Sequence, residues 1–82
     1  MERNAFEVTV HQTLAVALGV DVAAIGSDTQ FADLGMDSLL GLRFARKLSD
    51  ATAREIDPEW LYDYPTVAEL GAFLAAHFAR ED

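Results

Sequence analysis

The chain has 82 residues, 14 acids against 6 bases for a net charge of −8, and 51% apolar residues at a mean hydropathy of +0.10. That makes one soluble globular domain over residues 1–82, expected to be monomeric. The charge excludes nucleic acid as a partner, because an acidic field repels phosphate backbones. No apolar run approaches the ~20 residues of a membrane span, and Met1–Val10 lacks an export pattern, so a cytoplasmic location is expected.

Residues 5 to 18 place Phe6, Val10, Leu14, Ala17 and Leu18 on one helical face, with Asn4 to cap the start and Gly19 to stop the helix. Residues 19–36 mix glycines with Asp21, Ser27, Asp28 and Asp33. They predict a long loop pinned by Val20, Val22, Ile25, Phe31 and Leu34. A loop of that length in so small a domain needs a function or buried anchors.

A second helix begins after Asp37, whose carboxylate suits an N-cap, and puts Gly41, Phe44, Ala45 and Leu48 on one face. Asp57-Pro58 signals a short third helix near Pro58–Tyr62. Thr66-Val67-Ala68-Glu69 reads as a capping box opening a last helix with Val67, Leu70, Phe73, Leu74 and Phe78 in a stripe. The fold class is all-α: a four-helix bundle with a short third helix and a long loop between helices 1 and 2. The chain has no cysteine, which removes disulfides, thiolate nucleophiles and thiolate metal sites together. Helix packing alone must then stabilise a domain that buries only about 60–65% of its unfolded surface.

Ser38 falls at the first helical position after Gly35-Met36-Asp37, at the end of an exposed loop. A phosphodiester there would meet free N–H groups and the positive helix end, each interaction worth about 0.3–1 kcal/mol. On helix-start chemistry alone, Ser38 need only begin a helix.

The wider pattern says more. Phe31-Ala32-Asp33-Leu34-Gly35-Met36-Asp37-Ser38-Leu39 resembles the modification site of acyl carrier proteins, which place Leu-Gly-x-Asp-Ser-Leu at the start of helix 2. Leu61-Tyr62-Asp63-Tyr64-Pro65-Thr66 is similar to the Phe-Asp-x-Pro-Thr stretch of modular polyketide synthase carriers, at a matching distance from Ser38. The resemblance covers about residues 5–78.

It implies that phosphopantetheine, delivered from coenzyme A by a phosphopantetheinyl transferase with Mg²⁺, is esterified to Ser38. Its thiol then holds acyl groups as thioesters, so the thiol chemistry missing from the sequence arrives on the arm. The implied partners are the transferase and the ketosynthase, acyltransferase and other domains of a polyketide synthase. The chain itself is not an enzyme on this reading. Asp37 is carried over as the residue that meets the transferase, beside its simpler role as a cap.

Leu39 is expected to face outward as a partner contact. Leu42 either lines the helix 2 edge or dips into the core, and periodicity favours the core. Trp60, Leu61 and Tyr62 read as core residues. Trp60 stands where the family has a smaller aliphatic residue, so it either shapes a groove between helices 2 and 3 or packs.

Some features depart from the family. Arg43 stands where modular carriers have an acid, and Arg43, Arg46 and Lys47 make a basic strip from half of the bases in the chain. Phe44 replaces the usual Leu, and Gly41 with Phe44 echoes, imperfectly, the signature of carriers that serve β-branching cassettes. A peptidyl carrier would have Gly-Gly-x-Ser around the site, against Met36 and Asp37 here. A GDSL-type hydrolase would need a sheet, an oxyanion hole and a positioned histidine. His11 and His77 read instead as polar surface residues, without ligand spacing for a metal. A bare interaction bundle, with Ser38 never modified, is the remaining alternative.

Overall fold

The computed structural model describes residues 4–79, and every regular element within them is helical. The two ends of the expected 1–82 domain, residues 1–3 and 80–82, lie outside the described residues.

Helix α1 (Ala5–Leu18) starts where Asn4 Oδ1 accepts the Glu7 N–H at 2.7 Å. It ends at Gly19, whose φ of 70° lets its N–H turn back to Ala15 and Val16. Val10 and Leu14 are fully buried, and Phe6, Ala17 and Leu18 pack at the edge of the core.

The long loop is largely ordered by its own turns. A 3₁₀ turn at Val22–Ala24 is capped by Asp21, which accepts from the Ala23 N–H at 2.9 Å, and a second spans Phe31–Leu34. Ile25 and Phe31 are the buried anchors, and Leu34 is half-buried. Val20 and Val22, expected as anchors, are exposed. At Val22 the tie is made by backbone: His11 Nε2 donates to the Val22 carbonyl at 2.8 Å. Two further backbone bonds join the loop to the far end of the chain. The Phe31 N–H donates to the Pro65 carbonyl at 2.8 Å, and the Ala68 N–H to the Ser27 carbonyl at 3.0 Å.

Helix α2 (Ser38–Thr52) buries Gly41, Phe44, Ala45 and Leu48, as its pattern predicts. Leu42 does not join them: it is 55% exposed. The buried face is centred on Gly41 and Leu48, and Leu42 projects from the edge of that arc. The helix closes on Ala53 at φ 55°, a left-handed position filled without glycine. Ser49 Oγ donates to the Arg54 carbonyl at 2.6 Å and fixes the exit.

Helix α3 (Trp60–Asp63) starts two residues later than the sequence suggests. Asp57 Oδ1 accepts the Glu59 N–H at 2.9 Å, so Pro58 and Glu59 form a turn that precedes the helix. Leu61 is buried, whereas Tyr62, expected in the core, is 71% exposed. A four-residue helix can bury only one side, and Leu61 occupies it.

Helix α4 (Val67–Phe78) has the Thr66 hydroxyl as its cap, accepting the Glu69 N–H at 3.1 Å. The Thr66 N–H does not donate back to the Glu69 carboxylate, so half of the expected capping box is present. Val67, Leu70, Leu74 and Phe78 are buried. Helix α1 packs against both α2 and α4. It approaches α4 so closely that a Cβ on Gly71 would lie 2.6 Å from Glu7 Cα. The guanidinium of Arg54 covers one end of the core, 5.3 Å from the Phe6 ring and 5.2 Å from the Phe78 ring.

Candidate functional site

The site is built at the start of α2. Gly35, at φ 84°, ends the second 3₁₀ turn and reverses the chain toward Met36 and Asp37. Asp37 Oδ1 accepts the Leu40 N–H at 2.8 Å, and its carbonyl accepts the Gly41 N–H at 2.8 Å. The cap thus occupies the third and fourth amides of the helix. The Ser38 and Leu39 N–H groups have no acceptor among the described residues and point beyond the helix end. Ser38 is exposed as the first residue of α2. A phosphate on its hydroxyl fits there, with two unoccupied amides beside it, while the Asp37 carboxylate at the same helix end is held by the Leu40 N–H.

Ser38 lies at the rim of a groove of about 480 Å³ between α2, α3 and the Phe31–Asp37 segment. Its walls are mainly apolar: Phe31, Met36, Gly41 and Leu42 on one side, Leu61, Tyr62 and Pro58 on the other. Gly41 keeps the floor low, since a Cβ there would stand 3.6 Å from Leu61 Cδ1 and 3.9 Å from Met36 Sδ. Phe31 is fixed from behind by an edge-on contact with Phe44, ring centroids 5.7 Å apart.

The structure brings Asp37, Ser38 and Leu42 together around this groove, with Leu39 beside them at 61% exposure. Arg43, Arg46 and Lys47 continue along α2 in exposed positions. Trp60 does not line the groove. It turns toward α4 and meets Phe73 at 4.9 Å, His77 at 4.9 Å and Phe78 at 6.2 Å between ring centroids. Its role is packing, which sets aside the alternative that it shapes the groove. Met36 and Tyr62 were not singled out as groove residues from sequence. Both lie inside the two motif blocks, which was the available signal.

Neither histidine lines the groove with Ser38. His11 is held on the Val22 carbonyl, and His77 stacks on Phe73 at 5.2 Å. Ser38 therefore lacks the positioned base that a serine hydrolase requires. Among the described residues no cluster of three or more His, Asp or Glu side chains could hold a metal ion. No helix among them is long and apolar enough to cross a membrane.

Residues 8–74 match the family model described as the phosphopantetheine attachment site. The non-reducing polyketide synthase rads2 of Floropilus chiversii is 40% identical over 65 residues, 79% of this chain. The chain spans only 3% of that synthase's length. Among solved structures, the HMG-ACPI domain from the CurA module of Lyngbya majuscula is similar at 30% identity and a TM-score of 0.82, covering 93% of this chain and 77% of that one. A free-standing peptidyl carrier protein from Acinetobacter baumannii is similar at 29% identity and a TM-score of 0.81, covering 89% of this chain and 91% of that one. The bundle is thus shared by acyl and peptidyl carriers, and the likeness to a polyketide synthase separates them.

Proposed function

The chain belongs to the phosphopantetheine-attachment family as a carrier domain of the polyketide synthase type, and on that premise we propose that Ser38 Oγ is the atom to which the arm is joined. The observation that carries this reading is the position of Ser38. It is an exposed hydroxyl on the first residue of α2, at the rim of an apolar groove, with two unoccupied amides at the helix end.

In the proposed attachment, Ser38 Oγ forms a bond to the phosphorus of coenzyme A that bears the pantetheine. The pyrophosphate linkage breaks, the nucleotide bisphosphate leaves, and the hydroxyl proton passes to the transferase. When bound, the arm supplies a thiol that carries acyl groups as thioesters. Asp37 holds the first turn of α2 so that Ser38 faces outward, and its exposed position suits a transferase contact. Leu42, Tyr62 and Leu61 offer apolar surface on which a cargo can rest between partners.

Residues 1–82 act as one domain in this reading. It takes its cargo in a synthase with ketosynthase and acyltransferase domains, in the cytoplasm where coenzyme A is supplied. A partnership with a β-branching cassette has one physical support: Gly41 deepens the groove beside Ser38.

The test is intact mass after incubation with a promiscuous phosphopantetheinyl transferase, Mg²⁺ and coenzyme A. One phosphopantetheine should be added to the parent and none to S38A, which should remain folded because the side chain is exposed. A gain that persists in S38A would overturn the assignment.

A further inference from the structure

The described residues form a second cavity, of about 450 Å³, between the segment that leaves α2 and the last turn of α4. It is open, and mainly polar where the groove beside Ser38 is apolar. Arg54, Glu55 and Asp57 line it ahead of α3, Trp60 lines it from the start of α3, and His77 and Phe78 line it from α4. Helix α2 lies between this cavity and Ser38 and has 15 residues. At about 1.5 Å per residue the two are roughly 20 Å apart along its axis. The attachment of an arm at Ser38 makes no use of this cavity.

The three charged side chains in its wall are held differently. The Arg54 guanidinium is laid over the Phe6 and Phe78 rings, and it donates to the Thr52 carbonyl at 3.1 Å. It is part of the packing. Glu55 is exposed, and its carboxylate has no hydrogen bond or ion pair with a described residue. Asp57 uses one carboxylate oxygen for the Glu59 N–H and has a second to offer. Its carbonyl accepts the Trp60 N–H at 3.0 Å, so the carboxylate and the indole belong to one turn. Trp60 is half-buried, edge-on to His77 at 4.9 Å, and its indole N–H has no acceptor among the described residues. Two available carboxylates beside an indole and an imidazole are the complement of a planar cation. The net charge of −8 adds a field with the same preference.

We propose that this cavity is a docking socket for an arginine side chain of a protein partner. The guanidinium lies against the Trp60 and His77 rings, and its N–H groups reach the Glu55 and Asp57 carboxylates. Arginine fits better than lysine, because a guanidinium is planar, weakly hydrated and able to stack and hydrogen-bond at once. A free small molecule fits less well, since small-ligand sites enclose their ligand behind mainly apolar walls. A side chain delivered from a partner's backbone needs no such enclosure. The socket does not depend on the reading of Ser38, but its use does. A partner held at the far end of α2 leaves Ser38 uncovered, so one protein can anchor the domain while another works on the arm.

Trp60 is the only tryptophan in the chain, which makes the test direct. The full chain is titrated with the tripeptide acetyl-Gly-Arg-Gly-amide, and the Trp60 indole N–H resonance and fluorescence are followed. Both should change and saturate in the millimolar range. The backbone amides of Glu55 and Asp57 should shift with them, while that of Ser38 stays in place. The lysine peptide should bind more weakly, and the citrulline peptide, alike in shape but uncharged, should not bind. E55Q and D57N each remove a charge, and D57N keeps the oxygen that accepts the Glu59 N–H. Each should weaken binding by about two- to fivefold at low salt, the range of exposed ion pairs, with a melting temperature close to the parent's.

If the citrulline peptide moves the Trp60 resonance as the arginine peptide does, charge is not being read and the proposal fails. Tighter binding of acetyl-Gly-Glu-Gly-amide would make Arg54 and His77 the recognising groups and overturn it equally. Shifts that never saturate, or that persist unchanged in E55Q/D57N, also refute the socket. Loading at Ser38 is measured separately with the arginine peptide at saturation, and should keep its rate. A rate that falls as the socket fills would refute the independence of the two ends. Failure of the parent to load without peptide refutes the reading of Ser38 instead and leaves the titration standing, so the two failures are distinct.

Discussion

The Phe31 N–H donates to the Pro65 carbonyl at 2.8 Å. The two residues are 34 apart in sequence, and each belongs to one of the two motif blocks. The bond fastens the segment that leads into Ser38 to the segment that leads into α4. With the Ala68–Ser27 bond it makes the long loop part of the bundle. The wall of the groove at Phe31 is therefore held by backbone as well as by the edge-on contact with Phe44.

A loop tied in this way should exchange its tied amides slowly. Protection follows the free energy of the opening that exposes each N–H. The Phe31 and Ala68 amides should be protected to within about tenfold of the α1 interior, since they open only when the loop leaves the bundle. Gln30, whose N–H has no acceptor among the described residues, should exchange freely. Hydrogen exchange followed by NMR reads all three. Equal rates for Phe31 and Gln30 would mean that the loop opens independently of the helices.

Stability should follow burial residue by residue. Leu70 is fully buried, so Leu70→Ala should cost about 2–5 kcal/mol. Phe73 lies in the same helix but is half-buried, stacked on Tyr64 at 4.2 Å and edge-on to Trp60 at 4.9 Å. Phe73→Ala should cost less than Leu70→Ala, because part of its ring already faces water and His77 can settle into the space. Urea denaturation of the two variants gives the order directly.

Much of this arrangement was legible in the sequence because helix ends announce themselves. Asn4, Gly19, Asp37 and Thr66 all occupy the cap positions that their chemistry suggests. Periodicity found the buried faces of α1, α2 and α4, which are long enough for a stripe to show. It failed where an element is too short or borders a groove. Leu42 has the spacing of a core residue but lies at the lip of the groove, where α3 is too short to cover it. Tyr62 fails for the same reason, and Pro58 misled because Asp57 closes a turn before the helix begins. The position of Ser38 followed from Asp37. The pairing of Phe31 with Pro65, and Arg54 over two rings, came from tertiary contacts that no local pattern encodes.

The end of α2 offers a simple gain. Ala53 sits at φ 55°, where a Cβ costs about 1–2 kcal/mol in the left-handed region. Ala53→Gly removes that strain but frees the unfolded chain, which returns about 0.4–1 kcal/mol. The exit hydrogen bonds around Ser49 and Arg54 do not involve the Ala53 side chain. The variant should therefore be more stable by roughly 0.5–1 kcal/mol, with loading at Ser38 unchanged. A lower melting temperature would show that the position is not strained.

Two glycines in helices should respond in opposite directions to the same substitution. At Gly71 a Cβ would stand 2.6 Å from both Cα and Cβ of Glu7 and 3.0 Å from its amide nitrogen. Two of these are backbone atoms of α1, so the helix itself would have to move. Overpacking of this kind costs about 1–3 kcal/mol or more, which outweighs the ~1 kcal/mol that alanine gains over glycine in a helix. Gly71→Ala should destabilise the protein. At Gly41 the nearest atom is Leu61 Cδ1 at 3.6 Å, an ordinary contact with the end of a side chain. Gly41→Ala should keep most of the propensity gain and raise stability by up to about 1 kcal/mol. It should load at Ser38 as the parent does, while its added methyl narrows the floor of the groove. Thermal melts of the two variants should therefore move to opposite sides of the parent. A fall for Gly41→Ala as large as that for Gly71→Ala would mean that the groove is closed in solution and that its apolar walls are in contact.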